Sequence, residues 1–196
     1  GIRSLIKLGV AETNQALADS RAEARFRLVG LKQARYQEAG NHEEDLRRLR
    51  DNGDGWLDSV HKLRDGYGAD FVHLIVGSQD PASCGIAFML APGASPEYEH
   101  SAFAVSRNDC ISPNYSFGHE LGHNMGLTHA HEDAPPVGAY SHSHGYHDPQ
   151  GAFRTKTLTV CYPVELGASG MEAALTSLCE EAERAVMEDY NILILS

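Results

Sequence analysis

Gly118-His119-Glu120-Leu121-Gly122-His123-Asn124-Met125-Gly126-Leu127-Thr128-His129 reads H-E-x-x-H-x-x-G-x-x-H, and the rest of the chain is organised to hold it. Histidines four residues apart on a helix lie on one face, one turn above the other, so His119 and His123 can reach a single metal ion together. A third ligand must come from outside the helix. Gly126 supplies the turn, because glycine tolerates the left-handed conformation that ends a helix. His129, three residues further on, can then swing back to the same ion. Three neutral nitrogens plus one position left for water make an open tetrahedral zinc site, the arrangement of a hydrolase rather than of a structural zinc. Glu120 follows the first ligand and is placed to act as general base on that water. Five fixed positions make the pattern far more specific than a lone H-E-x-x-H. The bland alternative is a helix with surface histidines.

The motif resembles that of the metzincin metalloproteases. Its surroundings are most similar to the reprolysin (adamalysin-like) branch, particularly its bacterial-type members. Outside the motif the similarity is carried by Glu12-Thr13-Asn14, Leu28-Val29-Gly30, Tyr67-Gly68-Ala69-Asp70 and Cys84-Gly85-Ile86-Ala87, and it runs over residues 10–162. The resemblance implies an α/β (α+β, zincin-like) fold: a mixed, twisted sheet packed against long helices, with the active-site helix below a substrate cleft. It implies one catalytic Zn2+ on His119, His123 and His129, Glu120 as base, and an extended polypeptide as substrate. It also implies that Gly85, Ile86, Ala87, Phe88 and Met89 form a sheet edge above the cleft, with which a peptide pairs as an added strand. An ordinary edge strand is the alternative.

Departures from the family pattern sharpen the reading. Metzincins carry a methionine in a tight turn beneath the zinc. In Leu158-Thr159-Val160-Cys161-Tyr162-Pro163, Val160 stands in that place, a smaller floor of different shape under the histidines. Tyr162 matches a tyrosine that in some metzincins approaches the zinc and stabilises the oxyanion; a structural tyrosine is the alternative. Ala130 stands where adamalysins usually place aspartate. These departures motivate a rival reading, a weak or inactive zinc-binding module of the same fold, against which the intact Glu120 argues. A weaker third reading is a metal buffer using the histidine-rich stretch past His129.

The chain has 196 residues and 42% hydrophobic residues, enough for one domain, 1–196, with a full core. Its formal net charge of −11 argues against nucleic acid and anionic membrane surfaces, which want basic patches. No apolar run approaches transmembrane length. No signal peptide opens the chain, so it reads as a mature or trimmed form. The expected state is a secreted monomer acting on protein or peptide. Four cysteines lack any C-x-x-C spacing, which speaks against a cysteine zinc site and for two disulfides in an exported protein. Cys84–Cys110 and Cys161–Cys179 are the pairs nearest in sequence. The other two pairings, and four free thiols, stay open.

Periodicity predicts a helix over 2–19, a strand over 24–36, and a helix over 42–50 started by Asn41 and Glu44. Asp51-Asn52-Gly53-Asp54-Gly55 fails the EF-hand spacing and reads as a turn. A helix over 56–66 follows. The apolar run 71–76 reads as a central buried strand, with His73 a core or sheet-edge histidine rather than a ligand. Strands are expected over 84–90 and 101–107, and the active-site helix from Ser112-Pro113 to about Met125. His131, His142, His144 and His147 are expected to be solvated loop histidines rather than a second metal site. Ser169 and Glu172 cap a C-terminal helix, and 191–195 is strand-like. Family members begin with a buried strand, whereas this chain opens on a helix. Either that strand lies upstream, or the run 191–195 inserts into the sheet in its place; as the alternative, the run packs as an edge strand or a helix extension.

Overall fold

The computed structural model describes residues 1–77, 80, 83–93, 95–112, 114–130, 138–140, 143–145 and the backbone of 192–195. Helix α1 (Ile2–Asp19) opens the chain. Strand β1 (Leu28–Lys32), helices α2 (His42–Arg50) and α3 (Ser59–Tyr67), and strand β2 (Phe71–Val76) follow. Strands β3 (Gly85–Ala87) and β4 (Phe103–Arg107) precede helix α4 (Ser116–Asn124). Then come β5 (Thr128–Ala130), β6 (His144–Gly145) and β7 (Ile192–Leu195).

Five strands form one mixed sheet in the order β1-β7-β2-β4-β3, and β5 pairs with β6 in a separate parallel ribbon. Only β2 and β4 are parallel in the main sheet; the other neighbours are antiparallel. The C-terminal run therefore lies inside the sheet. Leu28 and Phe71 both pair with Leu195, from opposite sides. The insertion expected from an apolar run free of proline and glycine is the arrangement found.

Strand residues alternate between two faces. Val72, Leu74 and Val76 join Phe103 and Val105 against Leu46 and Leu49 of α2, Leu57 and Val60. Ile75 points the other way, into Ile6 and Val10 of α1 and Phe117 and Leu121 of α4. The same alternation leaves Gly85, Ala87, Ala104 and Ser106 facing α4, since Ile86 and Val105 belong to the opposite core. Small residues on that face let the helix sit close to the sheet. Helix α1 comes equally close: a Cβ on Gly118 would lie 2.8 Å from Thr13 Oγ1, and one on Gly9 3.1 Å from the Phe117 ring.

Several boundaries differ from the sequence expectation, and three of the starts have a local reason. Strand β1 starts late because Asn14 holds Phe26: Phe26 N–H donates to Asn14 Oδ1 at 2.7 Å, and Asn14 Nδ2 donates to Phe26 O at 2.8 Å. Both backbone groups of Phe26 are thus taken before the chain enters the sheet. Helix α3 starts late because Asp58 closes the preceding turn, accepting from Gly53 N and Gly55 N. Both glycines have positive φ, as the turn reading requires. Helix α4 starts at Ser116, after Tyr115 in the left-handed region at φ 55°. Ser112 does not cap it; its hydroxyl donates to Glu12 Oε1 at 2.8 Å. By contrast Asn41 caps α2 as expected, accepting from Glu44 N at 3.1 Å.

His73 is a core histidine. It is fully buried, its Nε2 lies 2.9 Å from Ser106 Oγ, and its ring stacks on Phe117 at 4.7 Å. Burial drives its pKa from 6.5 down to about 3. The unfolded chain therefore takes up this proton first, so the stability tied to neutral His73 is complete above pH 6.5 and drains as the pH falls towards 3. Between pH 6.5 and pH 4 the expected loss is about 3 kcal/mol. Replacement by a non-titrating ring, His73→Phe, should remove that part of the acid sensitivity. Urea unfolding at the two pH values checks it, and equal losses in both proteins would contradict the assignment.

Candidate metal and catalytic site

Helix α4 ends in a Schellman arrangement. Leu127 N donates to Gly122 O at 2.9 Å and Gly126 N to His123 O at 2.9 Å, with Gly126 at φ 91°. A side chain at Gly126 would also collide with Ala139 Cβ. Glycine is thus required there twice over, by conformation and by space. The reversed chain then enters β5, pinned to the ribbon by Thr128 N donating to Ser143 O at 2.8 Å.

This turn brings the three imidazoles together. His119 Nε2 lies 3.0 Å from His129 Nε2 and 3.1 Å from His123 Nε2. One nitrogen from each residue falls within 4.8 Å of the others, and no other such group of metal-ligating side chains occurs among the described residues. His123 Nδ1 lies 2.8 Å from Leu127 O, so that nitrogen donates and Nε2 keeps its lone pair for a metal. Burial, then the neighbouring imidazoles, lowers His119 to about 4, and burial also lowers His123. Neutral imidazoles with converging nitrogens about 3 Å apart fit one ion at bond lengths of roughly 2.0–2.1 Å. They line an open cavity of about 350 Å³ together with Leu127, Thr128 and the ribbon residues His144 and Gly145.

Glu120 lies one residue beyond the first ligand and is almost completely buried. Its carboxylate packs under β3: a Cβ on Gly85 would lie 2.8 Å from Glu120 Oε1 and 2.7 Å from Val105 O. Desolvation raises its pKa from 4.5 to about 8. A carboxyl tuned into the neutral range beside a cation site has the character of a proton-transfer group.

Strand β3 is one of the two edge strands of the sheet, with β1 at the other edge. Cys84 O accepts from Arg107 N at 2.9 Å and Phe88 N donates to Phe103 O at 3.4 Å. With Ile86 opposite Val105, the backbone groups of Cys84, Ile86 and Phe88 turn inward to β4, and those of Gly85 and Ala87 turn to the free edge. Ordered strand ends at Ala87, short of the expected Leu90. Past Ala87 the Phe88 carbonyl accepts from Tyr98 OH and Asn124 Nδ2, both at 2.7 Å. Asn124 also donates to Phe103 O, and Leu90 N to His123 O, so the end of the catalytic helix holds the end of the edge strand. The strand's other end is held by the Cys84–Cys110 disulfide, one of the two expected pairs. Sequence reasoning missed Asn124, whose role arises from strands remote in sequence.

His144, expected to be a solvated loop histidine, is half-buried and lines the cavity. The parallel pairing of Thr128 with His144 brings it there, a non-local contact without a sequence signal. Tyr162, Val160, Cys161, Cys179, His131, His142, His147 and the C-terminal helix lie outside the described residues. No helix among the described residues is long and apolar enough to cross a membrane.

A substitution at Gly85 tests the packing between edge and helix. The added methyl of Gly85→Ala would meet a backbone carbonyl that cannot give way. Either the edge or Glu120 must move, and a displacement of about 1 Å at a reacting centre costs on the order of 100-fold in rate. We expect kcat/KM to fall by about that factor with metal content unchanged. Wild-type rates would show that the edge strand and Glu120 are not mechanically linked.

Comparison with known proteins agrees with this geometry. Peptidyl-Asp metalloendopeptidases from two strains of Stenotrophomonas maltophilia are 34% identical over 158 residues and 35% identical over 145 residues. These matches cover 80% and 74% of this chain, but 36% and 33% of the relatives. The peptidyl-Asp metalloendopeptidase of Xanthomonas campestris pv. campestris is 33% identical over 74% of this chain and 33% of its own length. The chain thus spans about a third of the curated relatives it matches. Among solved structures, a chaperone–substrate complex is similar at a TM-score of 0.48 and 26% identity, over 64% of this chain and 20% of that one. The glutamate synthase central domain matches residues 139–196, a segment holding none of the three clustered histidines. The description "Metallo-peptidase family M12B Reprolysin-like" matches residues 4–130, which include the whole histidine cluster and Glu120. The chain belongs to the reprolysin-like M12B metallo-peptidase family.

Proposed function

We propose that this chain is the catalytic domain of a secreted, monomeric zinc endopeptidase whose substrates carry aspartate at the cleavage site. The observation that carries the activity is the convergence of His119, His123 and His129 beside the buried carboxyl of Glu120. The preference for aspartate rests on the relatives, which are peptidyl-Asp metalloendopeptidases.

When bound, zinc supplies a Lewis acid that polarises a carbonyl and lowers the pKa of water. The residues of the chain do the rest. Gly85 and Ala87 offer the outward backbone N–H and C=O groups on which an extended peptide can add as a further strand. Disulfide, Asn124 and Tyr98 hold that strand in register with α4. Glu120 accepts a proton from the attacking water and returns it to the leaving amine. A dication held by His119, His123 and His129 would favour the ionised form of Glu120, against the upward push of burial.

Casein hydrolysis with and without a chelator tests the reading. Cleavage that stops with chelator and returns with one equivalent of zinc is the expected result. Tight zinc binding without cleavage would identify an inactive module instead, and several metals per chain would identify a buffer.

A further inference from the structure

A peptide that adds to β3 has to meet the histidine cluster at a fixed distance. Strand β3 offers little support of its own. It has three ladder pairs, Gly85 with Ser106, Ile86 with Val105 and Ala87 with Ala104, all to the one neighbour β4. An element with so few partners shifts or opens at low cost. A displacement of about 1 Å at a reacting centre costs on the order of 100-fold in rate. The two ends of the strand therefore need ties from outside the ladder. The Cys84–Cys110 disulfide ties its start.

Asn124 ties its end. Successive residues of a helix point about 100° apart, so His123 lines the cavity while Asn124, 2% exposed, faces the sheet. Asn124 Nδ2 donates to Phe88 O at 2.7 Å, where the chain leaves β3, and to Phe103 O at 3.1 Å, where it enters β4. Only the nitrogen of an amide can donate to a carbonyl, so these two partners fix which way the side chain faces. Its Oδ1 is buried without a hydrogen-bond partner among the described residues. The acceptor half is thus left unpaired, while the donor half spans the two strands where they part. An apolar side chain would fill the space without a buried, unpaired acceptor of its own, but it would lack a donor for either strand. Two neighbours reinforce the tie. Tyr98 OH donates to the same Phe88 O at 2.7 Å, and Leu90 N donates to His123 O at 3.0 Å.

Resting on the reading of this chain as an endopeptidase that takes its substrate as a strand added to β3, we infer that Asn124 is a positioning residue, backed by Tyr98, that fixes the separation between the bound peptide and the histidine cluster. Through it, pairing along β3 is converted into rate. The amide acts on the strand, not on the substrate or on a metal. Its effect therefore grows with the number of hydrogen bonds a peptide makes along the edge. A substrate too short to pair there gains little from a well-placed edge. An extended polypeptide that pairs on both sides of the scissile bond gains most, and that is the substrate class the arrangement rewards.

The test compares two peptides with the same central sequence, one barely spanning the scissile bond and one extended on both sides, with rates expressed per bound zinc. In wild type the extension should raise kcat/KM. Asn124→Ala should cut the extended-to-short ratio of kcat/KM by about 30-fold, the scale of two misplaced backbone hydrogen bonds, with zinc content unchanged. Asn124→Ser keeps one hydroxyl donor and should recover part of the ratio. Loss of folded protein lowers both peptides together, so an unchanged ratio, whatever the absolute rates, marks a purely structural role and overturns the inference. Loss of zinc overturns it as well, since Asn124 would then support the ligands. Should neither variant fold, Tyr98→Phe removes the other donor to Phe88 O and is measured on the same pair of peptides. A fall of about fivefold in the ratio is then expected, and no fall overturns the inference. A wild type that cleaves casein but gains nothing from extension ends this inference and leaves the peptidase reading standing. A zinc-loaded wild type that cleaves neither peptide nor casein ends both.

Discussion

Glu120→Gln is expected to keep its metal and lose turnover by about a thousandfold, the typical worth of a positioned general base. The amide matches the carboxylate in shape, so the packing under Gly85 and the helix that carries the imidazoles stay intact. What disappears is a group that can take a proton. Burial alone holds the Glu120 carboxyl near 8, well inside the range where small electrostatic changes switch it between forms. Glutamine has no such switch. Elemental analysis together with turnover on casein separates the possibilities. Metal retained with activity lost supports the base; full activity in the variant would sink the mechanism; metal lost would make Glu120 a support for the ligands.

Removal of residues 191–196 should abolish the folded domain. Strand β7 pairs with β1 along one side and with β2 along the other. Without it, two strand edges inside the sheet lose their partners. Each buried backbone group left unpaired costs about 1–3 kcal/mol. Several such groups reach the whole stability of an ordinary domain, about 5–15 kcal/mol. Circular dichroism and thermal melting of the truncated protein read the outcome. A cooperative transition only slightly lowered in midpoint would show β7 to be peripheral.

The features legible in the sequence are those fixed by short-range geometry. Helical spacing put His119 and His123 on one face, and glycine's conformational freedom announced the reversal at Gly126 that returns His129. Nearness in the chain picked out Cys84–Cys110. Position of the last strand was accessible for another reason: an apolar run without proline or glycine has few places to go except a sheet interior. What escaped is set by contacts between distant segments. Nothing local tells that Asn14 will occupy both backbone groups of Phe26 and delay β1. The left-handed Tyr115 that delays α4 is equally silent. The anchoring of Phe88 O depends on Tyr98 and Asn124, and the placement of His144 beside the histidine cluster depends on a ribbon whose strands are joined by a long connection.

The pairing of Leu28 with Leu195 has a consequence for biosynthesis. A ribosome delivers β1 well before β7, so β1 waits for a long stretch of chain before its partner exists. Helices α1 to α4 can form meanwhile, and β2, β4 and β3 can associate, since their contacts lie nearer in sequence. The gap between β1 and β2 cannot close until β7 arrives. Such non-local closure makes folding slow and leaves sheet edges open to wrong partners. It also means that a prematurely terminated polypeptide, although it already holds His119, Glu120, His123 and His129, lacks the strand that completes the sheet behind them. Completion of the sheet behind the histidine cluster is then tied to the synthesis of β7.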